Sequence, residues 1–248
     1  MRRILILGGT TEARRLAERL GGRDDLAVTL SLAGRTLAPV AVPVPVRVGG
    51  FGGADGLAAY LRAEGIARLI DATHPFAARI SRNAAVAAAD ARIPILVLRR
   101  PAWERVPGDR WTEIEAVADA VAALGPEPRR VFLALGRQEL APFEAAPQHF
   151  YLVRSVDPVE PPLTVPRATY VLGRGPFAED DDRRLFEAHG IEAIVAKNSG
   201  GAATYGKIAA ARRLGLPVIL VRRPAVPAVP SVETPEAAAA WIDAPAAL

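Results

Sequence analysis

"EGIARLIDATHPFAARISRNAAVAAADARIPILVLRRP" (residues 64–101) returns later in the chain as "HGIEAIVAKNSGGAATYGKIAAARRLGLPVILVRRP" (residues 189–224), with two residues fewer. Each copy runs through a Gly-Ile entry, an apolar strand, a polar turn, an Ala-rich helix and a second apolar strand closed by Arg-Arg-Pro. Strand, crossover helix and strand form the repeating unit of a parallel sheet covered on both faces. Beyond Arg-Arg-Pro the copies align without a gap: Pro101 with Pro224, Pro107 with Pro230 and Glu113 with Glu236, each offset by 123. Two copies are too few for a solenoid. They imply two related α/β halves, each ending in an exchangeable strand, and leave open which sheet each closing strand joins.

The rest of the 248-residue chain alternates in the same way. Apolar runs predict strands at 3–8, 26–32, 68–72, 94–99, 131–135, 150–155, 169–173, 192–197 and 217–222. Helical periodicity and capping signals predict helices at 11–20, 54–64, 75–90, 113–124, 138–145, 179–188, 202–213 and 235–242. Prolines at alternate positions of "PVAVPVPVRVGGFGG" (39–53) suit an extended edge or loop path, not a central strand. The expected fold is α/β: two related Rossmann-like parallel-sheet domains, 1–100 and 101–248, with a shared cleft.

Composition excludes several functions. No apolar stretch reaches the roughly 20 residues of a membrane span, and Met1-Arg2-Arg3 runs into a strand too short for a signal-peptide core, so a cytoplasmic protein without membrane association is expected. Cysteine is absent, and His74, His149 and His189 lack ligand spacing, so no metal is expected. A net charge of +4 and a pI near 9.9 suit an acidic partner. The arginines are dispersed over predicted helix surfaces, without a basic arm or an aromatic RNA-binding signature, which favours a polyanionic small molecule over nucleic acid. Rare residue types stand out: lysine occurs only at 197 and 207, Asn only at 83 and 198, Gln only at 138 and 148.

In doubly wound sheets ligands lie outside the carboxyl ends of the strands. The first half offers three such turns. In "ILILGGTTEARRLAERL" (4–20) a strand breaks at Gly8 and Gly9 and resumes as a helix with Thr10, Thr11 and Glu12 at its start. That junction aims backbone N–H groups and a positive helix end at one point, which suits a phosphate, although G-G-T-T-E is not G-x-G-x-x-G and a purely structural turn fits as well. In "SLAGRT" (31–36) the carboxylate that NAD-binding folds set on the ribose is absent. Arg35, flanked by Ser31, Gly34 and Thr36, fits the 2′-phosphate of NADP(H), or is an exposed loop arginine. In "DATHPFA" (71–77), Thr73 or His74 caps a helix with Pro75 at its first position.

The second half presents different chemistry. "FLALGRQEL" sets Gly136, Arg137, Gln138 and Glu139 after a strand, and "VLGRGPF" sets Gly173, Arg174 and Gly175 after another. "AKNSGGAATYGK" places Lys197, Asn198 and Ser199 at the position equivalent to the turn that holds Thr-His-Pro in the first copy, followed by Gly200 and Gly201, which let a ligand approach the backbone. A binding turn is one reading; Ser199 as an N-cap beside a surface Lys197 is the other.

"ILILGGTTEARRLA", "DATHPFA", "LGRQEL" and "KNSGG", in this order and spacing, resemble the precorrin-6A reductases. The likeness covers essentially the whole chain and departs only by an Arg- and Ala-rich drift. It implies NADPH-dependent reduction of one double bond of the precorrin-6A macrocycle to give precorrin-6B, in the corrin pathway to cobalamin. It also implies cofactor on the first half (Gly8, Gly9, Thr10, Thr11, Glu12, Ser31, Gly34, Arg35, Thr36, Thr73, His74). The polycarboxylate tetrapyrrole then meets Arg137, Gln138, Lys197, Asn198, Ser199 and Gly200, in a chain expected to be a monomer. Completing the reduction needs a proton, for which Lys197, Tyr205, His74 and water are candidates; Lys197 ranks first because it doubles as a carboxylate clamp. Two other classes compete. A non-catalytic NADP(H)-binding redox regulator needs no Lys197-Asn198 turn, and an S-adenosylmethionine-dependent transferase normally carries an acidic residue after its second strand, which Ser31–Thr36 lacks.

Overall fold

The computed structural model describes residues 1–34 and 40–245, and divides the chain into two compact units. Unit 1 begins with β1 (Arg2–Leu7), α1 (Thr11–Leu20), β2 (Leu26–Leu32) and β3 (Val46–Val48). It continues with α2 (Gly53–Ala63), β4 (Ile66–Asp71), α3 (Ala78–Ala91) and β5 (Ile95–Leu98). Unit 2 follows as β6 (Arg110–Ile114), α4 (Asp119–Leu124), β7 (Arg130–Ala134), two 3-10 turns (Arg137–Glu139 and Ala141–Ala145), β8 (Phe150–Ser155) and β9 (Ala168–Leu172). Its remainder is α5 (Glu179–Ala188), β10 (Ala193–Lys197), α6 (Gly206–Leu214) and β11 (Pro217–Val221). The chain then returns to unit 1 as β12 (Ser231–Val232) and α7 (Pro235–Asp243).

Each unit is built on a six-stranded, all-parallel sheet, ordered β12-β5-β4-β1-β2-β3 in unit 1 and β6-β11-β10-β7-β8-β9 in unit 2. Numbered within its own unit, the unit 1 sheet reads 3-2-1-4-5-6, the order of dinucleotide-binding folds, and the unit 2 sheet has the same order once β6, which enters that unit first along the chain, is counted as its sixth strand. Ile4 to Leu7 are buried on both sides, as a central parallel strand requires. One face of the unit 1 sheet packs on Leu16, Leu20, Ala238 and Ile242 of α1 and α7, the other on Leu57, Leu61, Ala84 and Ala88 of α2 and α3. In unit 2 the two faces pack on Phe186 and Ile208 of α5 and α6, and on Leu124 with Phe143.

The closing strands of the repeat stay at home: β5 lies on β4 and β11 on β10. What crosses is the sixth strand. After β5 the chain supplies β6 to the edge of unit 2, and after β11 it supplies β12 to the edge of unit 1. Each edge is sealed by the same bond, Arg99 N to Val232 O (2.9 Å) and Arg222 N to Ile114 O (2.8 Å). Two expectations are corrected. Residues from Pro224 onward belong to unit 1 instead of a second domain 101–248. The ungapped register past Arg-Arg-Pro also fails, because Ile114 pairs with Val221 and Val232 with Leu98, so the equivalent residues there are 118 apart (232 − 114), not 123.

Local departures have local causes. The helix expected at 113–124 is β6 followed by α4, since Trp111 alternates into the core while its neighbours stay outside. The helix expected at 138–145 is two 3-10 turns, as Pro142 removes a donor. Residues 39–53 contain the edge strand β3. Among the described residues no helix is long and apolar enough to cross a membrane.

Candidate active site

In the 3-2-1-4-5-6 order the connections reverse direction between the first and fourth strands, and the crevice at their carboxyl ends is where such sheets bind ligands. In unit 1 that point lies between β1 and β4. Gly8 N donates to Ser31 O (2.8 Å) and Ala72 N to Leu7 O (2.9 Å), which ties the ends of β2, β1 and β4 together. A Cβ on Gly8 would fall 2.6 Å from Leu30 Cδ1, so a side chain there would force Leu30 to move; Gly9, at φ +120°, has open space above it. Thr10 caps α1 by accepting from Ala13 N (3.1 Å), and its hydroxyl donates to Ala72 O (2.8 Å). The first intrahelical bond is Arg14 N to Thr10 O, so the preceding amides and the positive end of α1 face this crevice.

The structure thus gathers Gly8, Gly9, Thr10, Thr11, Glu12, Ser31, Thr73 and His74 at three adjoining strand ends; Gly34 follows β2 at φ +74°, and Arg35 and Thr36 lie outside the described residues. Several side chains do something other than expected. Glu12 is paired with Arg100 (2.6 Å). Ser31 is buried, and its hydroxyl is approached by Arg47 Nη1 (3.5 Å). Neither Thr73 nor His74 caps α3, whose N-cap is Ala77: Thr73 Oγ1 donates to Asp71 Oδ1 (2.6 Å), and His74 Nδ1 accepts from Phe76 N (3.3 Å). Pro75 belongs to a separate turn closed by Ala77 N to His74 O (2.7 Å).

Sequence reasoning passed over Arg47, Asp71, Arg99 and Arg100. Arg47 lies over the Phe51 ring (3.9 Å) and donates to Gly49 O (2.7 Å) and Gly50 O (2.8 Å). Its signal was available, because it is the one charge within residues 39–53.

The equivalent point of unit 2 lies between β7 and β10. Strand pairing aligns Leu7 with Asp71 and Ala134 with Ala196, which makes Gly136-Arg137-Gln138-Glu139 the counterpart of Gly9-Thr10-Thr11-Glu12. Here the turn is closed by charge. Glu139 Oε2 accepts from Gly136 N (3.1 Å) and from Lys197 Nζ (2.5 Å), with Lys197 largely buried. Arg137 and Gln138 are exposed beside this pair. A resident carboxylate therefore occupies the place where unit 1 presents free amides, and the turn lacks a full helix behind it, so the unit 2 turn does not offer a phosphate cradle.

Asn198 is not turned to a ligand: its Oδ1 accepts from Trp103 N (2.8 Å) and its Nδ2 donates to Trp103 O (3.0 Å), in a buried clamp. Trp103 Nε1 donates to Gly201 O (2.8 Å), and Arg223 reaches Asn198 O (2.9 Å) and Ser199 O (3.0 Å). Ser199 N and Oγ both turn back to Lys197 O, and α6 begins at Gly206 after Tyr205, so Ser199 is no N-cap. Gly200 (φ +68°) and Gly201 (φ +70°) adopt consecutive left-handed conformations that side chains disfavour. Next to this turn, Gly173–Phe177 ends in a ring that Arg154 covers at 3.7 Å while pairing with the buried Asp182.

The titratable groups of the unit 2 core are set by burial. Burial, then the Arg129 charge, hold His149 below its ordinary value, although a hydrogen bond to the Gly125 carbonyl opposes this. Burial pushes the Tyr151 hydroxyl up to about 12.

Two dinucleotide-ordered sheets, one with an open glycine turn at its switch point and one with that turn sealed by an ion pair, define a two-unit Rossmann-type protein. The precorrin-6x reductase CbiJ/CobK family model matches residues 3–243, and the chain belongs to that family. It is 60% identical over 230 residues to a precorrin-6A reductase of Sinorhizobium sp, covering 93% of this chain and 88% of the relative. To the Rhodobacter capsulatus precorrin-6A reductase it is 52% identical over 242 residues, covering 98% and 96%. A solved structure described as CobK precorrin-6A reductase superposes with a TM-score of 0.92 at 51% identity, covering 98% of this chain and 96% of that one. Family membership makes the chain an oxidoreductase.

Proposed function

We propose that this chain reduces one double bond of the precorrin-6A macrocycle with hydride from NADPH, giving precorrin-6B. The observation that carries the cofactor half of this reading is the Gly8–Glu12 turn. It is open at Gly9, held to Ala72 by Thr10, and backed by the ten-residue helix α1, whereas its unit 2 counterpart is filled by Glu139. These residues fit a dinucleotide phosphate, with Ser31, Gly34, Arg35, Thr36, Thr73 and His74 completing the cofactor set. The bound nicotinamide supplies the hydride, and the protein supplies placement, electrostatics and a proton. Arg137 and Lys197 meet the carboxylates of the tetrapyrrole, and Lys197 Nζ, kept in place by Glu139, is the first candidate to supply the proton. The Gly200-Gly201 backbone lets the macrocycle approach closely, while Asn198 and Ser199 serve by shaping that turn.

A fluorescence titration with NADPH, NADH and S-adenosylmethionine, followed by turnover of precorrin-6A, tests the reading. NADPH should bind in preference to NADH, and reduction should follow. Binding of S-adenosylmethionine alone would make the chain a transferase, and NADPH binding without turnover would make it a sensor.

A further inference from the structure

Asp71, at the carboxyl end of β4, is 1% exposed, and its two oxygens have unequal lives. Oδ1 accepts from both Thr73 N (3.1 Å) and Thr73 Oγ1 (2.6 Å). Oδ2 has no hydrogen-bond partner among the described residues; Arg99 Nη2, from the end of β5, stands 4.0 Å away, and Arg99 Nε is orphaned as well. Arg99 also reaches Ser81 Oγ of α3 (3.4 Å). A charge pair this deep, with orphaned atoms on both partners, is poor value for stability: replacing such pairs with apolar residues is often neutral or stabilising.

The molecule contains its own control. Strand pairing aligns Asp71 with Val97 in unit 1 and Ala196 with Leu220 in unit 2, so Ala196 is the repeat equivalent of Asp71. Ala196 is fully buried at the same strand end, and the equivalent of Arg99, Arg222, points outward to Glu115 (2.7 Å). The βαβ unit therefore closes without a buried carboxylate. What unit 1 has in addition is a threonine fixed in one orientation, on a turn beside the Gly8–Glu12 crevice.

We propose that Asp71 is a positioning residue of the cofactor site: through its two bonds from Thr73, with Arg99 balancing its charge, it sets the conformation of the Thr73-His74 turn that receives the dinucleotide. The inference rests on the cofactor reading given above.

The test measures NADPH affinity by the fluorescence of the dihydronicotinamide, together with tetrapyrrole affinity and cooperative melting, in the full chain. D71A places the second repeat's alanine at this position and, with Arg99 still in reach of Ser81 Oγ, should melt cooperatively at a lowered temperature. Its NADPH dissociation constant should rise about ten- to a hundredfold, as for the loss of a hydrogen bond to a charged group. Tetrapyrrole affinity should stay unchanged. D71N keeps an acceptor oxygen toward Thr73 and should restore affinity to within about threefold of the parent. D71A with parental NADPH affinity overturns the proposal, as does a parallel loss of both ligands in D71A that D71N fails to rescue. If D71A does not fold, T73V decides: weakened NADPH binding with an intact melt supports positioning, and parental affinity overturns it. Failure of the unmodified protein to bind NADPH would instead overturn the cofactor reading itself.

Discussion

Lys197 Nζ donates to Glu139 Oε2 at 2.5 Å, and the same oxygen accepts from the Gly136 amide at 3.1 Å. One carboxylate thereby closes the β7 turn and fixes the lysine of β10, the residue that stands where unit 1 has Ala72. In the function proposed above, the carboxylates of the tetrapyrrole would compete with Glu139 for this side chain. K197A should leave NADPH affinity intact and raise the KM for the tetrapyrrole, because only the second ligand loses a charged partner. If Lys197 also supplies the proton, single-turnover reduction at saturating substrate should slow by roughly 10²- to 10⁴-fold, the usual share of a positioned general acid. Unchanged KM and kcat would remove this turn from the site.

R35A tests the choice of cofactor. Losing a guanidinium that reads the 2′-phosphate should weaken NADPH binding by about 1.5 to 3 kcal/mol, the range for hydrogen bonds to charged groups. NADH affinity should barely change. Equal losses for the two cofactors would make Arg35 a support of its loop.

His149 predicts a slope in stability with pH. It is fully buried, Nδ1 accepts from Arg129 N (3.2 Å), and its folded pKa lies below the ordinary 6.5. Between the two values the unfolded chain binds the extra proton, so stability rises with pH. The contribution is present in full above about pH 6.5 and is lost as pH falls through the folded value, by at most about 1.4 kcal/mol per pH unit. H149N keeps an acceptor toward Arg129 N and should flatten this part of the acid limb in denaturant titrations from pH 7.5 down to 5. An unchanged slope would assign it to other groups.

The crossing of the sixth strands makes a prediction about length. A chain ending at Pro101 loses β12 and α7, which leaves the amides of Val97 and Arg99 without Pro230 O and Val232 O. It also strips Arg68, 5% exposed, of the Trp241 ring and of the Trp241 and Ala244 carbonyls that it reaches. A buried guanidinium without partners is among the costlier defects a core can carry. Residues 1–101 should therefore melt without cooperativity, and 1–101 joined by a short linker to 224–248 should fold and bind NADPH. A stable, cofactor-binding 1–101 fragment would show that the returning segment is dispensable.

The architecture was legible where burial dictates residue type. Strands such as Ile4–Leu7 and Ile194–Ala196 are apolar on both faces, and the repeat reports two similar sheets. The crossing was not legible, because its carriers are edge strands. Ser231–Val232 spans two residues, and β6 shows one buried side chain, Trp111, too little for a period of two. The site was legible as turns and less so as side chains. The rarity of Asn198 marked a special position, yet its partner is the Trp103 backbone, 95 residues away in sequence, which no local pattern encodes. Glu12 and Glu139 read alike in sequence and differ in fate because Arg100 captures one and Lys197 with the Gly136 amide captures the other.

That difference supplies the last test. Glu12 lies in the first turn of α1, where a carboxylate is favourable to the helix but repels a phosphate bound at the same end. Arg100 Nη1, 2.6 Å from Glu12 Oε2 in a pair that is four-fifths buried or more, neutralises it. R100A leaves that carboxylate unpaired beside the Gly8–Thr11 amides, so NADPH affinity should fall, by an amount that shrinks as salt is raised. E12Q alone should have a small effect. The double variant E12Q/R100A should recover most of what R100A loses, because the charge that Arg100 neutralises is gone. Such a coupling, measured as a double-mutant cycle on NADPH affinity, separates neutralisation from contact. If the double variant binds NADPH as weakly as R100A, Arg100 acts on the cofactor directly and not through Glu12.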